Sequence, residues 1–139
     1  MTFDSAAPKH QLPVRVYYED TDAGGVVYYA NYLKFFERAR TEWLRDLGVS
    51  QTQLAADKGI LFVVAGLTIE YRQAAKLDDL LTVESMISQI GKASLHFDQR
   101  VLRDGMLLAS ANVRLCCVHA ETFRPTAIPD ALRNQFISN

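Results

Sequence analysis

The period of the hydrophobic pattern changes along the chain. Val14, Val16 and Tyr18 fall on one side of an alternating stretch, with Arg15, Tyr17 and Glu19 on the other. That alternation predicts a half-buried strand beginning at Pro13. Residues 1–12 are polar and are expected to be loose at the start. From about Tyr29–Asn31 the period lengthens to that of a helix, which Gly48 ends. Placed on a helical wheel, Tyr32, Phe36, Ala39, Trp43 and Leu47 form one stripe, widened by Leu33 and Leu44. Lys34, Arg38, Thr41 and Arg45 fall opposite.

A short helix over Ser50–Lys58 follows, with Ser50 as its cap and Gly59 as its stop. Strand-like runs then cover Ile60–Arg72, Leu80–Gln89, Ser94–Arg103 and Met106–His119. Asp104-Gly105 is a strong hairpin signal between the last two. Pro125 and Pro129 end the regular pattern, before a short helix near Asp130–Phe136. No repeat, linker or low-complexity segment interrupts this order. The expectation is one α+β domain over residues 1–139, with its core at 13–129: a mostly antiparallel sheet of five to six strands covering one long helix. Such a sheet leaves edges free, so a dimer through the sheet is expected.

One residue breaks the helical pattern. Arg40 lies inside the apolar arc, between Phe36 and Leu44. A guanidinium there either snorkels to the rim or takes a carboxylate or carbonyl partner, for which the acidic run Glu19–Asp22 is a source.

Composition narrows the class. With 139 residues, 49% hydrophobic and 22% charged, the chain suits a single ordinary core. A net charge of -1 argues against a generic nucleic-acid binder. Cys116 and Cys117 are adjacent in an apolar run, where neighbouring side chains point to opposite faces; free buried thiols in a reducing compartment are the reading. No stretch approaches the ~18 apolar residues of a membrane span, and the N-terminal residues lack a signal-peptide core. A cytoplasmic protein is expected.

The turn Glu19–Gly25 carries the candidate chemistry. A calcium loop fails, because Gly24 and Asn31 stand where that pattern needs ligands. A solvated turn, a phosphate cradle at Gly24-Gly25, and a carboxylate beside a helix N-terminus remain open at this point. In the last arrangement backbone N–H groups hold a developing oxyanion while a carboxylate attacks a carbonyl or activates water. That suits acyl transfer or hydrolysis of an activated ester. His10, His96 and His119 are scattered without ligand spacing, so no metal site is expected. There is no GxSxG elbow.

The stretch VRVYYEDTDAGGVVYYANYLKFFERARTEWLRDLGV, Val14 to Val49, resembles the signature of the 4-hydroxybenzoyl-CoA thioesterase family, most closely its Tol-Pal system-associated acyl-CoA thioesterase branch. The resemblance continues through FVVAGLTIEYRQAAKLDDLLTV, SLHFDQRV and RPTAIP, and spans nearly all of residues 13–129. It implies a hot-dog fold, with the sheet wrapped around one helix, assembled as homodimers and homotetramers. It implies thioester hydrolysis of acyl-CoA with a short aliphatic or aromatic acyl group, and no cofactor, coenzyme A being part of the substrate. The catalytic aspartate of the motif matches Asp22, and the amide facing the thioester carbonyl matches the N–H of Tyr29. Asp20 and Asn31 match positions that shape the turn.

This chain departs from many members of that branch in having Tyr29 where they carry His; because the amide makes the contact, activity is expected to survive. Some other hot-dog thioesterases carry their acid as a Glu on the helix, which makes Glu37 the second candidate. Arg72, Lys76, Arg100, Arg103, Arg114 and Arg124 are candidates for the coenzyme A phosphates. The alternative function is a non-catalytic or weakly catalytic adaptor for a partner or acyl carrier protein, linked to the Tol-Pal envelope system. A hydratase of the same fold would need a His in the motif, and there is none.

Overall fold

A computed structural model describes residues 10–138. The order is β1 (His10–Arg15), a 3-10 turn (Tyr18–Asp20), α1 (Asn31–Asp46), α2 (Gln51–Lys58), β2 (Ile60–Tyr71), β3 (Leu80–Ile90), β4 (Ser94–Arg103), β5 (Met106–His119) and α3 (Asp130–Ser138). The strands form one five-stranded antiparallel sheet in the order β1-β3-β4-β5-β2, leaving β1 and β2 at its edges. The sheet curls around α1, which is the expected hot-dog arrangement.

Local chemistry sets the boundaries. Gly48 at φ +82° closes α1 while Val49 N–H returns to the Leu44 carbonyl, and Ser50 Oγ accepts from Gln53 N–H to start α2. Asp104 and Gly105 both take positive φ, as the hairpin joining β4 to β5 demands. No helix among the described residues is long and apolar enough to cross a membrane.

The first strand departs from expectation. It already runs from His10 and stops at Arg15, and Tyr18, assigned above to its inner face, is 82% exposed. The Asp20 carboxylate takes the Tyr17 N–H at 2.9 Å and curls the chain into the 3-10 turn, a local side-chain bond that outcompetes the ladder. The expectation of a loose start fails for His10–Leu12, which pair with β3; residues 1–9 lie outside the described ones.

Helix α1 buries Tyr32, Phe36, Ala39, Trp43 and Leu44 as its spacing predicts. Phe35 is also fully buried, edge-on to Tyr32, because the sheet wraps more of the helix than one stripe. Leu33 is instead 39% exposed, on the flank facing the open β2 edge. Trp43 meets Phe97 of β4 edge-on at 5.7 Å, and truncating either ring to alanine would cost about 3–5 kcal/mol.

Arg40 is buried, at 8% exposure, and its partner is not in the acidic run: Nη1 donates to Gln99 Oε1 of β4 at 2.9 Å. Glu19 to Asp22 cannot serve because the turn keeps those carboxyls at the far end of α1, about ten helical residues away. Gln99, fully buried, donates through Nε2 to Ser85 Oγ (2.9 Å) and to the Phe36 carbonyl (3.1 Å). Cys117 is buried and Cys116 half-buried, both as free thiols, and burial pushes the Cys117 thiol up to about 11.

Candidate active site

The turn before α1 is built on Asp20. This side chain is only 5% exposed, and it accepts from Asn31 Nδ2 at 2.7 Å through Oδ1 and from Tyr17 N–H through Oδ2. Its carbonyl takes the Tyr28 N–H at 3.0 Å. Asp20 and Asn31 therefore tie the strand exit to the start of α1, shaping the turn as their motif positions imply.

Between them the chain makes a small hairpin. Thr21 bridges Val27, and Asp22 N–H donates to the Val26 carbonyl at 2.9 Å. Gly25 supplies the positive φ that the reversal needs. Asp22 stands exposed at the corner, with Oδ1 accepting from Gly24 N–H at 2.8 Å. That bond fixes the carboxylate on its own turn. No bond joins it to Tyr29, which lies beyond the other arm of the hairpin.

Tyr29 is held from both sides. The Tyr28 carbonyl accepts Asn31 N–H at 2.8 Å. In a trans peptide the N–H points opposite to the carbonyl, so Tyr29 N–H is aimed away from the helix. It has no acceptor among the described residues. The next carbonyl, Tyr29 O, accepts from the Tyr71 hydroxyl at 2.8 Å. Burial, with Tyr32 and Tyr29 close by, pushes the Tyr71 phenol above its ordinary range and keeps it a neutral donor.

The loop after β2 completes the wall. Val27 N–H donates to the Ala75 carbonyl at 2.8 Å, and Ala75 N–H donates to the Tyr32 hydroxyl at 3.1 Å. Tyr71 stands edge-on to Tyr29 and Tyr32, with centroids 6.3 and 5.3 Å away. Together they line a cleft of about 260 Å³, with Arg72 on its rim. A free amide beside a ring-lined slot can bind and polarise a carbonyl compound; Asp22 is not among the residues that line that slot.

The basic candidates separate. Arg100 is paired with Glu84 and Arg103 with Asp79, while Arg114 donates to the Ala65 carbonyl. Arg72 remains exposed beside the cleft and lies 3.9 Å from Glu70. Glu37 is exposed on α1, on the flank facing β2 and away from the Tyr29 cleft. Tyr71 falls inside the strand-like run Ile60–Arg72, where nothing in the alternating pattern singles it out. Its position at the C-terminal end of an edge strand, before a break, was the available signal.

The match to known proteins covers nearly the whole chain. Residues 16–136 fit the family model of the thioesterase-like superfamily. The chain is 51% identical to the acyl-CoA thioesterase YbgC of Haemophilus influenzae over 125 residues, covering 90% of this chain and 92% of that one. It is 46% identical to the acyl-CoA thioester hydrolase YbgC of Escherichia coli O6:H1, covering 89% and 92%. A probable thioesterase from Bartonella henselae superposes with a TM-score of 0.83 at 39% identity, over 86% of this chain and 98% of that one. The chain belongs to the thioesterase-like superfamily and, within it, to the YbgC group of acyl-CoA thioesterases.

Proposed function

We propose that this chain hydrolyses acyl-CoA thioesters, of short aliphatic or aromatic acyl groups, at the turn between Asp22 and Tyr29. The observation that carries this reading is the unpaired Tyr29 N–H at the ring-lined cleft, in a chain of this family. The thioester carbonyl accepts from that N–H, which stabilises the oxyanion as the carbon becomes tetrahedral. Asp22 either attacks the carbonyl carbon, giving an acyl anhydride that water then hydrolyses, or takes a proton from the attacking water. In both routes the coenzyme A thiolate leaves and is protonated, and a carboxylic acid is released. Tyr29 acts through its amide, so the phenol in place of His leaves the carbonyl contact intact. No cofactor is required beyond the coenzyme A portion of the substrate.

The open β2 edge supports assembly with a second copy. Val64 is 54% exposed there and Leu67 40%, an apolar margin on an edge strand. A homodimer across β2, assembling further to a homotetramer, covers that margin. Acyl carrier protein presents the same thioester arm and is a second possible donor of substrate. The two free thiols suit a cytoplasmic location.

Asp22→Asn tests the assignment. Turnover should fall on the order of 10²-fold or more across a panel of acyl-CoAs. Full turnover by the variant on every thioester that wild type cleaves would overturn it. Single-turnover reaction in oxygen-18 water separates the two routes: label in the Asp22 carboxylate marks the anhydride.

A further inference from the structure

Arg40 stands out energetically. The residue is 8% exposed, and its guanidinium makes one hydrogen bond, to the neutral Gln99 amide, and forms no ion pair among the described residues. Burial depresses its pKa to about 10, with the Glu37 charge opposing that shift. A buried cation without a carboxylate partner is costly, and such a group lining a cavity is a candidate binding group. Gln99 does not discharge it; both Gln99 donors are committed to Ser85 and Phe36, which fixes the amide and with it the guanidinium.

Arg40 also lines two adjoining cavities, of about 250 and 240 Å³, between α1 and the inner face of β2. Glu37 and Val64 are common to both. Towards the helix N-terminus the walls are apolar: Leu33, Phe36 and Leu67. Beyond Arg40 they include Thr41 and Gln51, which add polar groups. The seam between α1 and β2 therefore runs from the edge-on contact of Tyr32 with Tyr71 over an apolar stretch to a cation. The separation from Tyr29 to Arg40 is roughly 16 Å along the helix axis.

We propose that this cavity is a carboxylate site that receives the distal end of the acyl group, making acyl thioesters with a terminal carboxylate preferred substrates. The proposal rests on the thioester hydrolysis proposed above and departs from its short acyl group, because a chain that reaches Arg40 from the Tyr29 amide must be long enough to span the seam. The apolar stretch accommodates the methylenes, and the unused guanidinium N–H groups take the carboxylate in charge-assisted bonds. Glu37, at the rim, disfavours a second anion and weakens the preference without abolishing it.

The test is a chain-length series of acyl-CoAs in two forms, methyl-terminated and carboxyl-terminated, with the ratio of kcat/KM as readout. Wild type should favour the carboxyl form by about tenfold or more at the length that spans the seam, and at no shorter length. Arg40→Met should reverse the ratio, and Arg40→Lys should retain part of it. Glu37→Gln should raise the ratio several-fold, which covers the case in which Arg40 variants fail to fold. A ratio near one at every length, or one unchanged by these substitutions, overturns the proposal. Free dicarboxylates run as inhibitors form a further arm. If they compete at the cavity while the thioester ratio stays at one, the anion is a free carboxylate and the acyl assignment is refuted. Asp22→Asn separates the two readings: its retention of full turnover defeats the catalytic assignment, whereas the ratio alone decides the cavity.

Discussion

Removing the Tyr71 hydroxyl isolates how much the turn depends on its neighbour strand. In Tyr71→Phe the ring keeps its edge-on contacts with Tyr29 and Tyr32, and only the 2.8 Å bond to the Tyr29 carbonyl is lost. A neutral hydrogen bond of this kind contributes about 0.5–1.5 kcal/mol net. The carbonyl end is exposed to water, so the cost to global stability lies at the lower end, about 0.5 kcal/mol, and the melting temperature moves by only about 2 °C. The effect on rate is larger in proportion. Deleting an oxyanion donor outright costs about 10²–10³ in kcat; here the proposed donor, the Tyr29 N–H, persists but its flanking peptide is freed to rock. A loss of about 1 kcal/mol of transition-state stabilisation lowers kcat about fivefold. Substrate binding through the rest of the cleft is unchanged, so KM should stay within about twofold. The assay is steady-state release of free thiol from one acyl-CoA, with thermal melts on the same preparations. Unchanged kcat, or a rise in KM at constant kcat, would refute the idea that Tyr71 positions the turn.

Further expectations follow from the buried and half-buried polar groups. Asp20→Ala leaves Asn31 Nδ2 and Tyr17 N–H without their acceptor and should cost about 2–4 kcal/mol in urea unfolding, with lower turnover per folded molecule. Gln99→Leu strands the Arg40 guanidinium and should cost about 3–5 kcal/mol, whereas the double change Arg40→Leu with Gln99→Leu should cost less than the single one. Asp79 gives a pH signature. Burial opposes its ionisation, but the Lys76 N–H and the Arg103 guanidinium hold its carboxyl below the usual range. Its stabilisation is therefore present above the unfolded value of about 3.9 and is lost as pH falls through the lower folded value. Acid melts of Asp79→Asn should lie below wild type at neutral pH and converge with it below about pH 4.

What the chain order reveals depends on whether an effect is local. The caps and turns at Gly48, Ser50 and Asp104-Gly105 are each decided within a few residues, so they are legible without a structure. The end of β1 is local as well, yet it was misread, because an alternating pattern and a carboxylate three residues ahead compete for one N–H. Burial settles that competition: Asp20 gains Asn31 as well as Tyr17, and the turn prevails over continued pairing. Arg40 presented the opposite problem. Its anomalous place on the apolar face is visible from spacing alone, but its acceptor lies 59 residues away on β4. Only the curl of the sheet brings Gln99 beneath it. The motif similarly marks Asp22 and Tyr29 as candidates but not Tyr71, which reaches the turn from the far end of the edge strand, 42 residues on. An edge strand that holds the proposed reactive turn and also carries the surface proposed for a second copy would couple the two physically. Whatever orders the end of β2 on assembly also orders the Tyr71 hydroxyl, and through it the Tyr29 peptide. On that reasoning the dilute monomer should show a lower kcat than the assembled protein, and Tyr71→Phe should narrow that gap, as a concentration series of specific activity on both proteins would reveal.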